Sequence, residues 1–235
     1  SYFPEVEDGM INGINSREMI LEILLEIEEG EHSHVAIRNA LSKYQFLPKQ
    51  DRAFITRVCE GTLEYRIQID YIINSFSKVT VDKMKPAIRE ILRSAVYQLK
   101  YMDSVPDSAV CNEAVKLAQR KGFYNLKPFV NGVLRTIARE MDQVRFPQKE
   151  DDLLKYLSVK YSMPEVLVTR WLEAYGEETT EKILADFLTE HPLTIRCRTY
   201  LNSKEEIVKS LESQGVHVAP APYLSYAYSI SEFNH

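Results

Sequence analysis

Apolar residues recur every three or four positions through residues 15–147, and this spacing predicts roughly six helices and no strand. Prolines support several of the helix starts, because the first helical turn does not use the amide that proline lacks. The predicted helices begin near Asn15, Ser33, Pro48, Pro86, Pro106 and Lys127. The third runs from Pro48 through Ile72, and we expect Gly61 to kink it. The fold class is therefore predicted to be mainly α, with an all-α helical bundle first.

After residue 147 the pattern changes to a mixture of helices and strands. Helices are predicted from Asp151, from Met163 to Gly176 and over 177–188. Residues 193–199 alternate like a half-buried strand, 203–214 form a helix, and 216–218 and 223–230 are candidates for further strands. We expect domain limits of 15–147 for the bundle and 148–235 for a helical linker and a small α+β domain, with residues 1–14 a disordered extension.

Composition and charge narrow the classes of protein. The chain is 45% hydrophobic and 27% charged, and no apolar run approaches the roughly 20 residues that span a bilayer, so we expect no membrane segment. Three widely spaced cysteines and the lack of a secretory signal favour a reducing cytoplasm. The net charge of −5 is uneven, since residues 11–147 carry a net +3. The first domain is thus mildly basic, which is compatible with RNA contact.

No motif for a cofactor, a metal ion or a catalytic nucleophile is visible. The eight glycines are scattered, without the spacing of a nucleotide or S-adenosylmethionine loop. Cys59, Cys111 and Cys197 lie in apolar contexts typical of buried thiols, and His32 and His34 lack third and fourth ligands nearby. We therefore expect no cofactor, no metal and no self-contained active site in this chain.

Two neighbouring helices carry the most specific pattern of the sequence. The first begins at Val105-Pro106 and contains Asn112-Glu113-Ala114-Val115, and the second contains Phe129-Val130-Asn131-Gly132-Val133-Leu134-Arg135. This run resembles the end of the NusB family and implies an RNA-binding helical bundle. The residues by themselves also fit a packed helix pair, in which Gly132 allows close helix approach and Asn131 satisfies a neighbouring backbone group.

The second part of the chain carries a further resemblance. Met163-Pro164-Glu165, Trp171, Tyr175-Gly176, His191-Pro192 and Ile195-Arg196 resemble, in order and spacing, the region between a NusB-like domain and the methyltransferase domain in bacterial ribosomal RNA cytosine-5 methyltransferases of the RsmB (Sun) type. Val166 and Arg198 depart from that pattern, where the family has Trp and Asn. The resemblance implies that S-adenosylmethionine and a nucleophilic cysteine belong to a catalytic domain absent from this chain.

Cationic and aromatic side chains near the helix pair are the candidate RNA contacts. The cations are Lys116, Arg120, Lys121, Lys127, Arg135 and Arg139, which could neutralise phosphates. Phe123 and Tyr124, in the intervening loop, could stack on an unpaired base. The alternative is a solvated basic surface with Phe123 in the core. Lys83, Lys85, Arg89 and Arg93 form a second, weaker patch, and the NusB resemblance adds Arg17 and Arg38.

The two resemblances imply the first two of three candidate functions, and the residues alone leave the third open. The first is the RNA-binding amino-terminal part of a small-subunit ribosomal RNA cytosine-5 methyltransferase, whose partners are that RNA and its own carboxyl-terminal methyltransferase domain. The second is a free-standing NusB-like transcription antitermination factor, although almost ninety residues follow the Asn-Gly-Val-Leu-Arg helix. The third is a helical protein-interaction scaffold with no RNA role.

Overall fold

The structure is a computed structural model that describes residues 10–11, 14–43, 47–188, 193–196, 203–213, 216–220 and 227–233. Its contacts divide the chain into two compact units, Ser1–Leu184 and Ala185–His235. The mainly α fold class is confirmed. The domain limits drawn from the sequence stay a prediction.

Seven helices form the bundle of the first unit. They are α1 (Ser16–Glu28), α2 (Ser33–Lys43), α3 (Lys49–Glu64), α4 (Arg66–Phe76), α5 (Pro86–Tyr101), α6 (Asp107–Arg120) and α7 (Lys127–Glu140). Helix α5 is central and packs against α1, α3, α4, α6 and α7. The burial of α5 agrees with this central position, because every residue from Ile88 to Gln98 except Arg89 is buried.

The segment before α1 contains a strand pair. Residues Met10–Ile11 (β1) and Ile14–Asn15 (β2) pair as antiparallel strands, a short strand pair that the sequence analysis did not predict. The overlooked signal is the dipeptide Asn12-Gly13, which is typical of two-residue turns. Asn15 caps α1, since its Oδ1 accepts a hydrogen bond from the Arg17 amide at 2.8 Å.

The long third helix of the prediction is two helices, and Gly61 does not kink it. The break falls at Tyr65, where α3 ends and α4 begins. Gly61 is instead a packing site, because a Cβ atom there would overlap the Tyr97 ring of α5. The absence of a side chain lets α3 approach α5 closely.

Helices α8 (Leu153–Tyr161) and α9 (Glu165–Phe187) follow the bundle. Gly176 interrupts α9 with φ 75°, which confirms the helix end predicted there. The turn before α9 caps α4: Ser162 Oγ accepts hydrogen bonds from the Ile67 and Gln68 amides at 3.1 and 3.4 Å. In return, Gln68 Nε2 donates to the Val159 carbonyl at the end of α8, at 3.3 Å. These bonds tie α8 to the bundle.

The second unit is the predicted small α+β region. Strands β3 (Leu193–Arg196), β4 (Val216–Pro220) and β5 (Ala227–Phe233) form an antiparallel sheet in the order β3-β5-β4, and α10 (Lys204–Ser213) packs against β4. The predicted strand residues 197–199 and 223–226 lie outside the described residues. Among the described helices of the whole chain, none combines the length and apolar character that a membrane crossing requires.

Candidate nucleic-acid interface

Helices α6 and α7 form a hairpin whose outer face is polar. Their buried residues all lie on the core side: Val110, Cys111, Glu113, Ala114, Leu117, Ala118, Val130, Val133, Leu134 and Ile137. The two helices run in opposite directions, because Gln119 faces Lys127 at one end and Asn112 faces Arg135 further along. This arrangement places Lys127 beside the end of α6 and Arg135 beside its middle.

The turn between the two helices presents one aromatic ring to solvent. Tyr124 is 64% exposed, whereas Phe123 is half-buried and packs against the bundle core. Of the two rings expected to stack on a base, Tyr124 is thus the accessible one, and Phe123 follows the alternative that placed it in the core. Lys127 Nζ lies 4.7 Å from the Tyr124 ring centroid and donates to Gln119 Oε1 at 2.7 Å.

Arg135 is exposed and is held by two amide oxygens. Its Nε donates to Asn131 Oδ1 and its Nη2 to Asn112 Oδ1, each at 3.0 Å. Throughout the described residues, no carboxylate forms an ion pair with Arg135 or Lys127. Because their partners are neutral, both cations keep their full charge for an anion from outside.

Three other predicted contacts are paired with carboxylates. Lys116 lies 2.7 Å from Glu113, and Arg139 lies 2.6 Å from Glu140. Lys121 bridges Glu18 and Glu22 of α1 at 3.0 and 3.1 Å. The hydrogen bond with Glu18 is the main cause that raises the pKa of Lys121. Lys121 therefore joins α6 to α1, and its charge is locally compensated.

The remaining predicted contacts occupy different surroundings. Arg120 is exposed at the end of α6. Arg38 is exposed on α2, which packs mainly against α1 and α3. Arg17 is partly buried, lies 5.4 Å from the Phe54 ring centroid, and lines a small cavity with Gln98. The structure thus brings Arg120 close to the hairpin turn but leaves Arg38 on a separate helix.

The two arginines of the second basic patch are engaged within the bundle, which corrects their sequence interpretation, whereas Lys83 and Lys85 are exposed. Arg93 is buried and binds Asp70 through Nε and Nη2 at 2.7 and 2.8 Å, and its Nη1 lies 2.6 Å from Glu90. Burial raises the pKa of Glu90 although Arg93 opposes the shift. Arg89 pairs with Glu28. These arginines join helices, so they are not a surface for phosphates.

The roles predicted for Gly132 and Asn131 are also corrected. A Cβ atom on Gly132 would meet nothing within 4 Å, so this glycine does not serve a close helix contact. Asn131 orients Arg135 rather than a backbone group. The signal in the sequence was the spacing of four residues between Asn131 and Arg135, which places them on one helix face.

The described residues show no centre for covalent or metal chemistry. Burial raises the pKa of both the Cys59 and Cys111 thiols, which disfavours the thiolate, and Cys197 lies outside the described residues. No group of metal-binding side chains occurs among the residues described. These residues also do not fit an S-adenosylmethionine cradle, because the described strands pair antiparallel and no glycine-rich turn follows one.

The protein is thus a helical bundle followed by a small α+β unit. The bundle exposes Tyr124, and among the described residues Lys127 and Arg135 have no carboxylate partner. The sequence model of the NusB family matches residues 14–139, and the chain belongs to that family. A second model, described as the ferredoxin-like domain of RsmF/B-like methyltransferases, matches residues 163–233. Both resemblances seen in the sequence are confirmed.

Similar proteins fall into two groups. The chain is 32% identical over 202 residues to the probable ribosomal RNA small subunit methyltransferase B of Bacillus subtilis (strain 168), a match that covers 86% of this chain and 44% of that protein. It is 33% identical over 130 residues to the transcription antitermination protein NusB of Dictyoglomus thermophilum (strain ATCC 35947 / DSM 3960 / H-6-12), which covers 55% of this chain and 85% of that protein. The chain thus spans less than half of the methyltransferase.

A solved structure shares the fold over nearly the whole chain. It is the crystal structure of PH0851, with a TM-score of 0.66 and 22% sequence identity. The match covers 94% of this chain and 50% of that one. At this identity the likeness shows the fold alone.

Proposed function

We propose that this chain is the RNA-binding part of an S-adenosylmethionine-dependent ribosomal RNA cytosine-5 methyltransferase that acts in the cytoplasm. The bundle, over about 15–147, binds small-subunit ribosomal RNA, and residues 148–235 connect it to a catalytic domain outside these 235 residues. Similarity to a small-subunit methyltransferase over 86% of the chain supports the assignment. Cofactor binding and methyl transfer belong to the other domain.

The observation that carries the RNA-binding role is the pairing of Tyr124 with Lys127. An exposed ring offers a stacking face to an unpaired base, and the ammonium group over it offers a charge to the adjacent phosphate. Arg135 extends the same face along α7, since residues four and eight positions after Lys127 lie on one side of a helix. The RNA is therefore placed along the outer face of the α6–α7 hairpin.

Binding of small-subunit ribosomal RNA fragments to the chain tests this role. Tyr124→Ala should weaken binding about tenfold, because base stacking contributes roughly 1–3 kcal/mol. Lys127→Gln should weaken binding and lower its salt dependence, because it removes one phosphate contact. The matched controls are Tyr175→Ala, which removes a similarly exposed ring (58%), and Lys155→Gln, which removes an exposed lysine of α8. Loss of affinity no larger in the first pair than in the controls would contradict the proposal.

A methyl-transfer assay tests the division of labour. The chain is incubated with labelled S-adenosylmethionine and small-subunit ribosomal RNA. We expect RNA binding without incorporation of label, since the described residues do not fit the cofactor. Detectable methylation by the chain alone would contradict the separation of binding from catalysis.

The second candidate function is transcription antitermination as a free-standing NusB-like factor. The observation that favours it is the 33% identity to a NusB protein over 85% of that protein. The match of residues 163–233 to a methyltransferase-associated domain favours the first function instead. Sequencing of the complete reading frame separates the two: continuation into a doubly wound methyltransferase domain supports the first, and termination at His235 supports the second.

A further inference from the structure

The outer face of α7 contains a glycine without a structural explanation. Gly132 lies in the interior of the helix, where glycine costs about 1 kcal/mol relative to alanine. It is exposed, it has helical rather than positive φ, and a Cβ atom there would touch nothing. Neither backbone conformation nor internal packing requires it.

Arg135 lies one turn further on the same face. Its guanidinium has five N–H donors, of which one on Nε and one on Nη2 bind the oxygens of Asn131 and Asn112. Three donors remain, including both on Nη1. The amides fix the plane of the group without neutralising it, which prepares the remaining edge for a bidentate anion.

We propose that Arg135, Asn112, Asn131 and Gly132 form a subsite for one phosphodiester group of the RNA. This proposal rests on the RNA-binding role above and names the residues that receive the backbone. The missing side chain at Gly132 lets the strand approach the helix until a phosphate reaches the Nη1 edge of Arg135. Because their oxygens face the guanidinium, the two asparagines direct their NH₂ groups toward further RNA oxygens.

Charge favours a nucleic-acid backbone over an acidic protein segment as the occupant. Lys127 lies two helical turns before Arg135, about 12 Å along the axis. Both cations lack a carboxylate partner in the described part of the chain, and Tyr124 adds a stacking surface at the end of the same row. A single RNA strand presents phosphates and unpaired bases in alternation, and these match the two cations and the aromatic ring.

Two substitutions test the subsite in the full chain, with a small-subunit ribosomal RNA fragment as the probe. Arg135→Gln should weaken binding at least about tenfold and reduce the slope of log affinity against log salt by about 0.7. Gly132→Gln should weaken binding about tenfold by blocking the approach, while it raises the melting temperature because Gln favours the helix. If Gly132→Gln binds RNA more weakly while its melting temperature rises, unfolding is excluded as the cause of the weaker binding.

Matched controls separate this subsite from the general function. Arg170→Gln removes an exposed arginine of α9, and Ala53→Gln adds the same side chain to the exposed surface of α3. Both should bind like the unmodified chain. If Gly132→Gln and Arg135→Gln also bind like it while Tyr124→Ala weakens binding, the subsite is wrong and the RNA-binding role stands. If the unmodified chain binds no RNA, the subsite and the RNA-binding role are both wrong. If an acidic peptide binds in a way that depends on Arg135 and RNA does not, the occupant is a protein.

Discussion

Single glycines show how the same residue type serves opposite purposes in this protein. Gly61 is required by packing against Tyr97, whereas Gly132 has open space around it. Sequence alone suggested a kink for the first and close packing for the second. The two were confused because periodicity identifies the apolar face of a helix but not the shape of the neighbour that meets it.

Alanine substitution at these two glycines should change stability in opposite directions. Gly61→Ala should lower the free energy of unfolding by about 1–3 kcal/mol, because the added methyl group overlaps the Tyr97 ring. Gly132→Ala should raise it by up to about 1 kcal/mol through helix propensity. Urea denaturation of both variants measures the difference, and a shift of the same sign in both would contradict the packing described here.

The amino-terminal end of α4 is capped by a residue that lies after position 147, the limit of the bundle expected from the sequence. The amino terminus of α4 has unpaired amides, and no neighbouring side chain of its own sequence caps them. Ser162, almost one hundred residues later, supplies the hydroxyl. No local signal in the sequence could reveal this cap, since it joins segments that lie far apart along the chain.

Removal of the long-range cap should cost stability. Ser162→Ala leaves the backbone in place but deletes the acceptor for the Ile67 and Gln68 amides, so we expect a loss of about 1 kcal/mol. Ser75→Ala is the control, because Ser75 Oγ donates to a carbonyl within α4 and is exposed. Equal stability of the two variants in thermal or urea denaturation would show that Ser162 does not cap α4.

Glu181 of α9 accepts hydrogen bonds from Lys160 and Tyr161 of α8, so the stability that this contact contributes depends on pH. Burial alone would raise the pKa of Glu181, but hydrogen bonds from Lys160 and Tyr161 outweigh burial and lower it. A lowered folded-state pKa means that the stabilisation is present above the unfolded-state pKa, near 4.5, and is lost as pH falls through the folded value.

The acid sensitivity should therefore decrease when Glu181 is replaced. Between about pH 6 and pH 3.5, the unmodified chain should lose more free energy of unfolding than Glu181→Gln does. Glu178→Gln is the control, since Glu178 is 85% exposed and its pair with Lys182 is screened by water. If Glu181→Gln keeps the full acid dependence, the network around Glu181 does not contribute it.

At the scale of the whole molecule, local signals in the sequence predicted most of the fold. Pro86 and Pro106 placed helix starts, Gly176 placed a break, and alternation placed the first strand of the small sheet. The candidate surface was predicted less completely. Charges such as Arg93 and Lys121 looked available for RNA, but acidic residues from other helices neutralise them, and only the tertiary arrangement shows that pairing.

The central claim is that RNA lies along the outer face of the α6–α7 hairpin, and photo-cross-linking tests it most directly. The full chain is irradiated with a small-subunit ribosomal RNA fragment, and the cross-linked peptides are identified by mass spectrometry. We predict cross-links at Tyr124 and in α7 near Gly132, which decrease as salt rises. Cross-links confined to other helices, such as the segment with Lys83 and Lys85, or no salt-sensitive cross-links at all, would contradict the account.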